Sequence, residues 1–373
     1  MSFNKEDGQL VRLGDYIELC DQRNSDEEYT LDDIQGISTE KKFIVTKANL
    51  DGVSLTAYKV VHKDEFAYVS DTSRRGDKIA LGLNSTNKAI LISSIYTTFR
   101  SKDIQKLLPE YLYLFLSREE FDRLSRFNSW GSARETFDWS EFCRLQIPLP
   151  DSDIQQELVD TYNGLKALAE LNEALIIPLT EACQAYIVDC KKKYSEVELG
   201  EYIEEVNQRN TSNEITLTQG IDVNMQFIPA KREAADREVT KIVRTGQFAF
   251  NKVVKANGTK LPIALRTGPD CIISSSYAVF QIRNQELDAK FLRLWFSRSE
   301  VHRYCGFISQ GTTRDVFSYD DLCNLKIPLP PSEVQQAIVD IYNCAEGAKR
   351  IATEAREKMK KLCPALVQRA TNG

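Results

Sequence analysis

Histidine is nearly absent from this 373-residue chain, which has only His62 and His302. That leaves little material for histidine-based metal binding or acid–base chemistry. The nine cysteines are scattered, with no Cys-x-x-Cys spacing. An odd count without that spacing fits neither a closed disulfide framework nor a zinc ribbon, so most are expected to be small buried hydrophobes. No uninterrupted apolar run approaches the ~18 residues of a membrane span. The first ten residues, MSFNKEDGQL, carry charges where a secretion signal would be apolar. A cytoplasmic protein without a membrane partner is expected. Catalytic signatures are missing too: no Gly-x-Gly-x-x-Gly, Gly-Lys-Ser/Thr, His-Glu-x-x-His or Gly-x-Ser-x-Gly occurs. Asp138 and Glu141 read as structural or helix-terminal carboxylates. Catalysis by this chain is not expected, nor a cofactor or metal of its own.

What is present is a core-forming composition, 42% hydrophobic and 27% charged, with a net charge of -6. The same unit is also written twice. Leu13-Gly14-Asp15-Tyr16-Ile17-Glu18 returns as Leu199-Gly200-Glu201-Tyr202-Ile203-Glu204, and Gln22-Arg23-Asn24 as Gln208-Arg209-Asn210, at an offset of 186. By Ile147-Pro148-Leu149-Pro150 and Ile327-Pro328-Leu329-Pro330 the offset is 180, with Gly131, Arg134, Phe137 and Cys143 matching Gly311, Arg314, Phe317 and Cys323. The period is too long for a solenoid. It implies two globular domains, 1–150 and 194–330, each followed by a spacer, 151–193 and 331–373.

Both spacers read as long helices. In the second, Ile338, Ile341, Ala345, Ala348, Ala352, Ala355, Met359 and Leu362 alternate three and four apart, a heptad seam. Shifting by 180 places Leu158, Leu165, Leu168, Asn172, Leu175 and Leu179 on the first helix's seam, with one polar residue that can fix the alignment. A helix of roughly 35 residues spans about 50 Å. Two in one chain are expected to pair antiparallel and hold the domains apart. Pro178 and Pro364 should kink or end them.

The domains read as α+β. Strands of a mixed, curved sheet are expected in stretches such as 42–46, 65–70, 89–94 and 272–281, with one helix over 109–123 and another over 288–304. Charge is uneven: 241–330 holds 13 Lys+Arg against 7 Asp+Glu, whereas 61–150 holds 13 against 12. Two polar or glycine-containing loops carry cations. One has Arg74, Arg75 and Lys78; the other has Lys252, Lys255, Asn257 and Lys260. In a DNA groove such side chains can read guanine or adenine edges; equally, they can be ordinary solvated loops. Arg134 and Arg314, after Gly131 and Gly311, can anchor a phosphate or close the helix–strand joint.

The duplicated Leu-Gly-(Asp/Glu)-Tyr-Ile start, the Gly-Ser-Ala-Arg and Gly-Thr-Thr-Arg turns, and the paired Ile-Pro-Leu-Pro segments with Gln-Gln and a long helix form an ordered set. It resembles the specificity (S) subunit family of type I restriction-modification systems, the HsdS-like proteins. The resemblance covers essentially the whole chain. It implies two target-recognition domains on an antiparallel two-helix coiled coil with pseudo-twofold order, reading a bipartite, asymmetric double-stranded DNA target. It also implies docking of two methyltransferase (M) subunits that carry S-adenosylmethionine and methylate adenine. Restriction (R) subunits, using ATP and Mg, would join through them. The chain's lack of an Asn/Asp-Pro-Pro-Tyr/Phe methylase motif fits that division. The rival readings are a duplicated protein-interaction adaptor and an S-like subunit of a different phage-defence system.

Overall fold

A computed structural model describes residues 9–46, 48–71, 78–130, 135–231, 237–253, 260–309 and 316–371, the side chains of 363–371 excepted. The chain divides into two compact units, Met1–Leu171 with Ile351–Gly373, and Asn172–Arg350.

Unit one is built on a four-stranded antiparallel sheet in the order Ile17–Cys20, Thr97–Ser101, Glu65–Tyr68, Leu81–Leu83. Phe66 lies opposite Phe99, and their rings stack with centroids 4.7 Å apart. Helices α1 (Pro109–Leu116), α2 (Glu119–Phe127) and α3 (Trp139–Arg144) follow. Leu112, Leu116, Phe121 and Phe142 form one apolar cluster with Phe66 and Phe99. The terminal strand Gln9–Arg12 pairs with Gln146–Leu149, which carries Pro148. The long helix α4, Ser152–Lys193, starts in this unit.

Unit two repeats the plan. Its sheet runs Ile203–Glu205, Tyr277–Ile282, Phe248–Asn251, Ile263–Leu265, and Phe248 stacks on Phe280 at 4.9 Å. Helices α5 (Ala289–Phe296), α6 (Ser299–Ile308) and α7 (Tyr319–Cys323) precede α8, Ser332–Thr371.

Four expectations change. The named ladders are all antiparallel, so the sheet is not mixed; among the described residues parallel pairing is confined to the bridges Ile34–Leu91 and Thr218–Ile272. The stretch 272–281 is two strands separated by a turn at Ser274, whose carbonyl accepts from Tyr277 N–H. Each expected single helix is two. Arg118 and Arg298 have extended backbones at the break, and their guanidiniums lie over the Phe115 and Trp295 rings. Pro178 does not end α4, which runs through it. There the missing N–H costs one backbone bond, while the Thr180 hydroxyl donates to the Ile176 carbonyl at 2.7 Å.

Each unit holds one half of each long helix, the N-terminal half of α4 with the C-terminal half of α8 in unit one and the reverse in unit two. This is the antiparallel order. In unit two, Cys183, Ile187 and Cys190 share a core with Ile338 and Val339, and Cys183 Sγ lies 3.8 Å from the Ile338 carbonyl. On α8, Ile338, Ala345, Ala348, Ala352, Ala355 and Met359 are buried, with Ile341 and Leu362 half-buried. On α4, Leu158, Leu165, Asn172 and Leu179 are half-buried, but Leu168 and Leu175 are exposed. The inward positions there are Ala169 and Ile176, one residue further on. Leucines and isoleucines crowd 165–179, so three-and-four spacing can be threaded along more than one face. No helix among the described residues is long and apolar enough to cross a membrane.

Two polar residues fasten the long helices to their units. Gln155, fully buried, donates from Nε2 to the carbonyls of Lys106 and Pro150, both at 2.8 Å, and accepts from Leu108 N–H at 2.9 Å. Gln335 does the same with Glu286, Pro330 and Asp288. An amide supplies donor and acceptor together, so each site is closed without a charge.

Candidate nucleic-acid interface

The cation-bearing segments singled out above lie far apart in sequence, yet their flanks meet. In unit one, Asp71 and Trp130 both bridge to Thr136, and Phe137 N–H donates to the Ser70 carbonyl at 2.8 Å. The described residues that flank 72–77 and 131–134 therefore form one stem. In unit two, Val253 bridges to Val316, and Phe317 N–H donates to the Lys252 carbonyl at 2.8 Å. That stem joins the flanks of 254–259 and 310–315. Arg74, Arg75, Arg134, Lys255, Asn257 and Arg314 lie outside the described residues. Lys78 is half-exposed and pairs with Glu40 at 3.1 Å. Lys252 is half-buried in the stem, and Lys260 is exposed beside Leu261. Leu261 N–H donates to Nδ1 of buried His302 at 3.1 Å. Burial, then the nearby Lys260 charge, pushes the His302 pKa below the usual imidazole value.

The two copies also differ in how they pair cations outside those segments. In unit one, Asp21 pairs with both Lys59 and Arg23 at 3.0 Å, and Lys59, then Arg23, holds its carboxyl below the usual range. The repeat places Asn207 at that position in unit two. There Arg209 bridges to Lys241, and burial, then the charge of Lys252, lowers the Lys241 pKa. Cations thus gather in unit two where unit one neutralises them. A groove of about 870 Å³ in unit one, by contrast, is lined by five carboxylates, Glu40, Glu110, Glu119, Asp122 and Glu170, and five cations, Lys41, Lys42, Lys78, Lys166 and Arg356, a lining of no net sign.

Asp138 caps α3, its Oδ1 accepting from Glu141 N–H at 3.0 Å, and that bond lowers its pKa. Among the described residues no three of His, Cys, Asp and Glu gather to hold a metal. Cys143 and Cys323 act by closeness. A Cβ on Gly14 would lie 2.7 Å from the Cys143 Cβ, and one on Gly200 2.8 Å from the Cys323 Cβ, so the duplicated glycines let the first turn sit on α3 and α7.

Sequence reading missed the exposed aromatics at the ends of α2 and α6, Phe127 and Phe307, and Trp130 beside the first stem. The offset of 180 pairs Phe127 with Phe307 and was the available signal.

The family model for the type I restriction modification DNA specificity domain matches this chain twice, over residues 27–181 and 193–345. The chain belongs to that family. It is similar to the type I restriction enzyme MjaVIII specificity subunit of Methanocaldococcus jannaschii, with 20% identity over 95% of this chain and 90% of that one. It also resembles in fold the type I restriction-modification S subunit of M. genitalium, with a TM-score of 0.55, 12% identity, and coverage of 99% and 97%. The HsdS subunit of Thermoanaerobacter tengcongensis matches with a TM-score of 0.44 and 19% identity over 99% and 97%. As a type I specificity subunit the chain is a non-catalytic DNA-recognition protein that works in a complex with other subunits. The two matches fall one in each half of the chain.

Proposed function

We propose that each unit reads one half of a bipartite, asymmetric double-stranded DNA target and that the long helices dock two methyltransferase subunits. In this reading 1–150 and 194–330 are the recognition domains, and 151–193 and 331–373 the spacers. S-adenosylmethionine belongs to the methyltransferases, which methylate adenine; ATP and Mg belong to restriction subunits that join through them. The observation that supports it is the stem in each unit, which brings together the described flanks of two cation-bearing segments, and those segments differ in sequence between the units. Arg74, Arg75, Lys78 and Arg134 would serve one half-site; Lys252, Lys255, Asn257, Lys260 and Arg314 would serve the other. Unlike segments suit unlike half-sites, because base edges differ while phosphates do not.

Sequencing methylated DNA from cells that carry this chain with its methyltransferase partner tests the reading. Two unlike half-sites separated by unread bases are the expected result. A single contiguous motif, or none, overturns it. Replacing Arg75, Lys78, Lys255 and Lys260 by Ala should weaken DNA binding of the assembled complex and leave subunit association intact. Unchanged affinity would favour the protein-adaptor reading.

A further inference from the structure

We infer that the exposed ridge of α2 and its copy on α6 form a DNA-backbone contact common to both half-sites, with Arg123 and Arg303 on phosphate and Phe127 and Phe307 packed on deoxyribose. The inference rests on the DNA-recognition reading above and adds residues to it.

The two helices show a reversed pattern of retention. Aligned at the offset of 180, 119–127 and 299–307 share only Glu120/Glu300, Arg123/Arg303 and Phe127/Phe307. All three pairs are exposed. The face that packs on the core has changed instead: Phe121, Asp122 and Ser125 are buried in α2, where α6 buries His302 and Cys305 and half-buries Val301. Copies of a domain ordinarily keep the packed face and vary the solvated one. Keeping the solvated face requires something outside the unit that both copies meet.

The exposed side chains are also unusual in kind. Phe127 is 78% and Phe307 86% exposed, with Leu124 at 42% and Tyr304 at 52% three residues before each. Lone exposed apolar residues are ordinary; the same phenylalanine at the same position in two diverged helices is not. Residues at i, i+3 and i+4 share a helix face, so arginine, apolar neighbour and phenylalanine form one ridge in each unit. In α2, Glu120 holds Arg123 at 3.4 Å.

The ridge runs toward the stem already described: Trp130, 68% exposed, bridges to Thr136. The retained residues beyond it are Gly131 and Arg134, with Gly311 and Arg314 in the copy. The helices themselves are not basic, with three carboxylates against two arginines in 119–127 and one of each in 299–307. What the ridge offers a polyanion is one retained arginine and one exposed aromatic, in a domain whose neighbouring sequence segments carry cations. One phenylalanine and one arginine offer far less than the ~800 Å² per partner of a stable protein interface. Phosphate and sugar are the same in every half-site, so residues that touch them are free to stay alike while base-reading segments diverge.

The test uses the assembled methyltransferase complex and a duplex carrying the methylated motif found in cells. Phe127→Ala with Phe307→Ala should weaken binding about tenfold at each salt concentration, with the salt slope and the motif unchanged. Arg123→Ala with Arg303→Ala should weaken binding and reduce the salt slope by about two. Thermal melting of both variants should match the parent, because the residues are exposed. Unchanged affinity in both variants overturns the inference, and so does an altered motif at one half-site. Loss of methyltransferase association with normal DNA affinity overturns it too, and assigns the ridge to protein docking. A parent complex that yields no motif fails the recognition reading itself; a parent with a motif and indifferent variants fails only the ridge.

Discussion

The Lys41 ammonium lies 2.8 Å from Asp122 Oδ1, with both side chains almost wholly out of water. The same oxygen accepts from Ile79 N–H at 3.1 Å. In unit two the repeat puts Met225 and His302 at these positions. Lys41 and Met225 share the left-handed backbone, φ 59 and 62, and His302 accepts from Leu261 N–H as Asp122 accepts from Ile79. One copy holds an ion pair at these positions; the other has a thioether and an imidazole there.

Removing one partner of a buried ion pair leaves a charge without compensation, which costs about 3 to 5 kcal/mol. Asp122→Ala should show that loss in chemical denaturation. Asp122→His together with Lys41→Met installs the pair of unit two and should recover more than half of it. A double variant no more stable than Asp122→Ala would contradict the equivalence.

His302 makes unit two sensitive to acid. Its folded pKa is lowered by burial and then by Lys260, so the unfolded chain takes up the proton first. Its stabilising contribution is whole above about pH 6.5, the unfolded value. As pH falls below that value toward the lowered folded pKa, stability declines by up to ~1.4 kcal/mol per pH unit. Melting curves from pH 7.5 to 5 should show that decline in the parent and a flatter profile in His302→Gln.

Gln155 donates to two carbonyls from one nitrogen. A carboxylate at that position accepts only, and it buries a charge facing carbonyl oxygens. Gln155→Glu should therefore destabilise unit one by about 3 kcal/mol, and hydrogen exchange should quicken in the first turns of α4. Gln335→Glu should do the same for α8.

Gly14→Ala brings a new Cβ against the Cys143 Cβ and carbonyl, at 2.7 and 2.9 Å. The turn must separate from α3, at about 1 to 3 kcal/mol. Cys143→Ser should not rescue it, because the colliding atom remains. Denaturant midpoints of the single and double variants check this.

On α4 a one-residue difference separates a tolerant position from an intolerant one. Leu168→Gln should change stability by no more than about 0.5 kcal/mol, because the side chain is exposed. Ala169→Asp places a charge where nothing is exposed and should cost several times that. Equal effects in urea titrations would argue against the buried line through Ala169.

By itself the sequence determined the duplication, the two long helices and the buried seam of α8, because these are written in local periods and a constant offset. The Ala345, Ala348 and Met359 line is unambiguous where polar residues fill the other faces. The same reading misplaced Leu168 and Leu175, because leucine occupies more than one face of α4, and only packing chose among them. Tertiary structure also decided that the flanks of 72–77 and 131–134 form one stem, that Gln155 closes on a carbonyl some fifty residues earlier, and that Lys41 meets Asp122. Those pairings join residues far apart in the chain. They arise when strands and helices pack, and no spacing along the sequence encodes them.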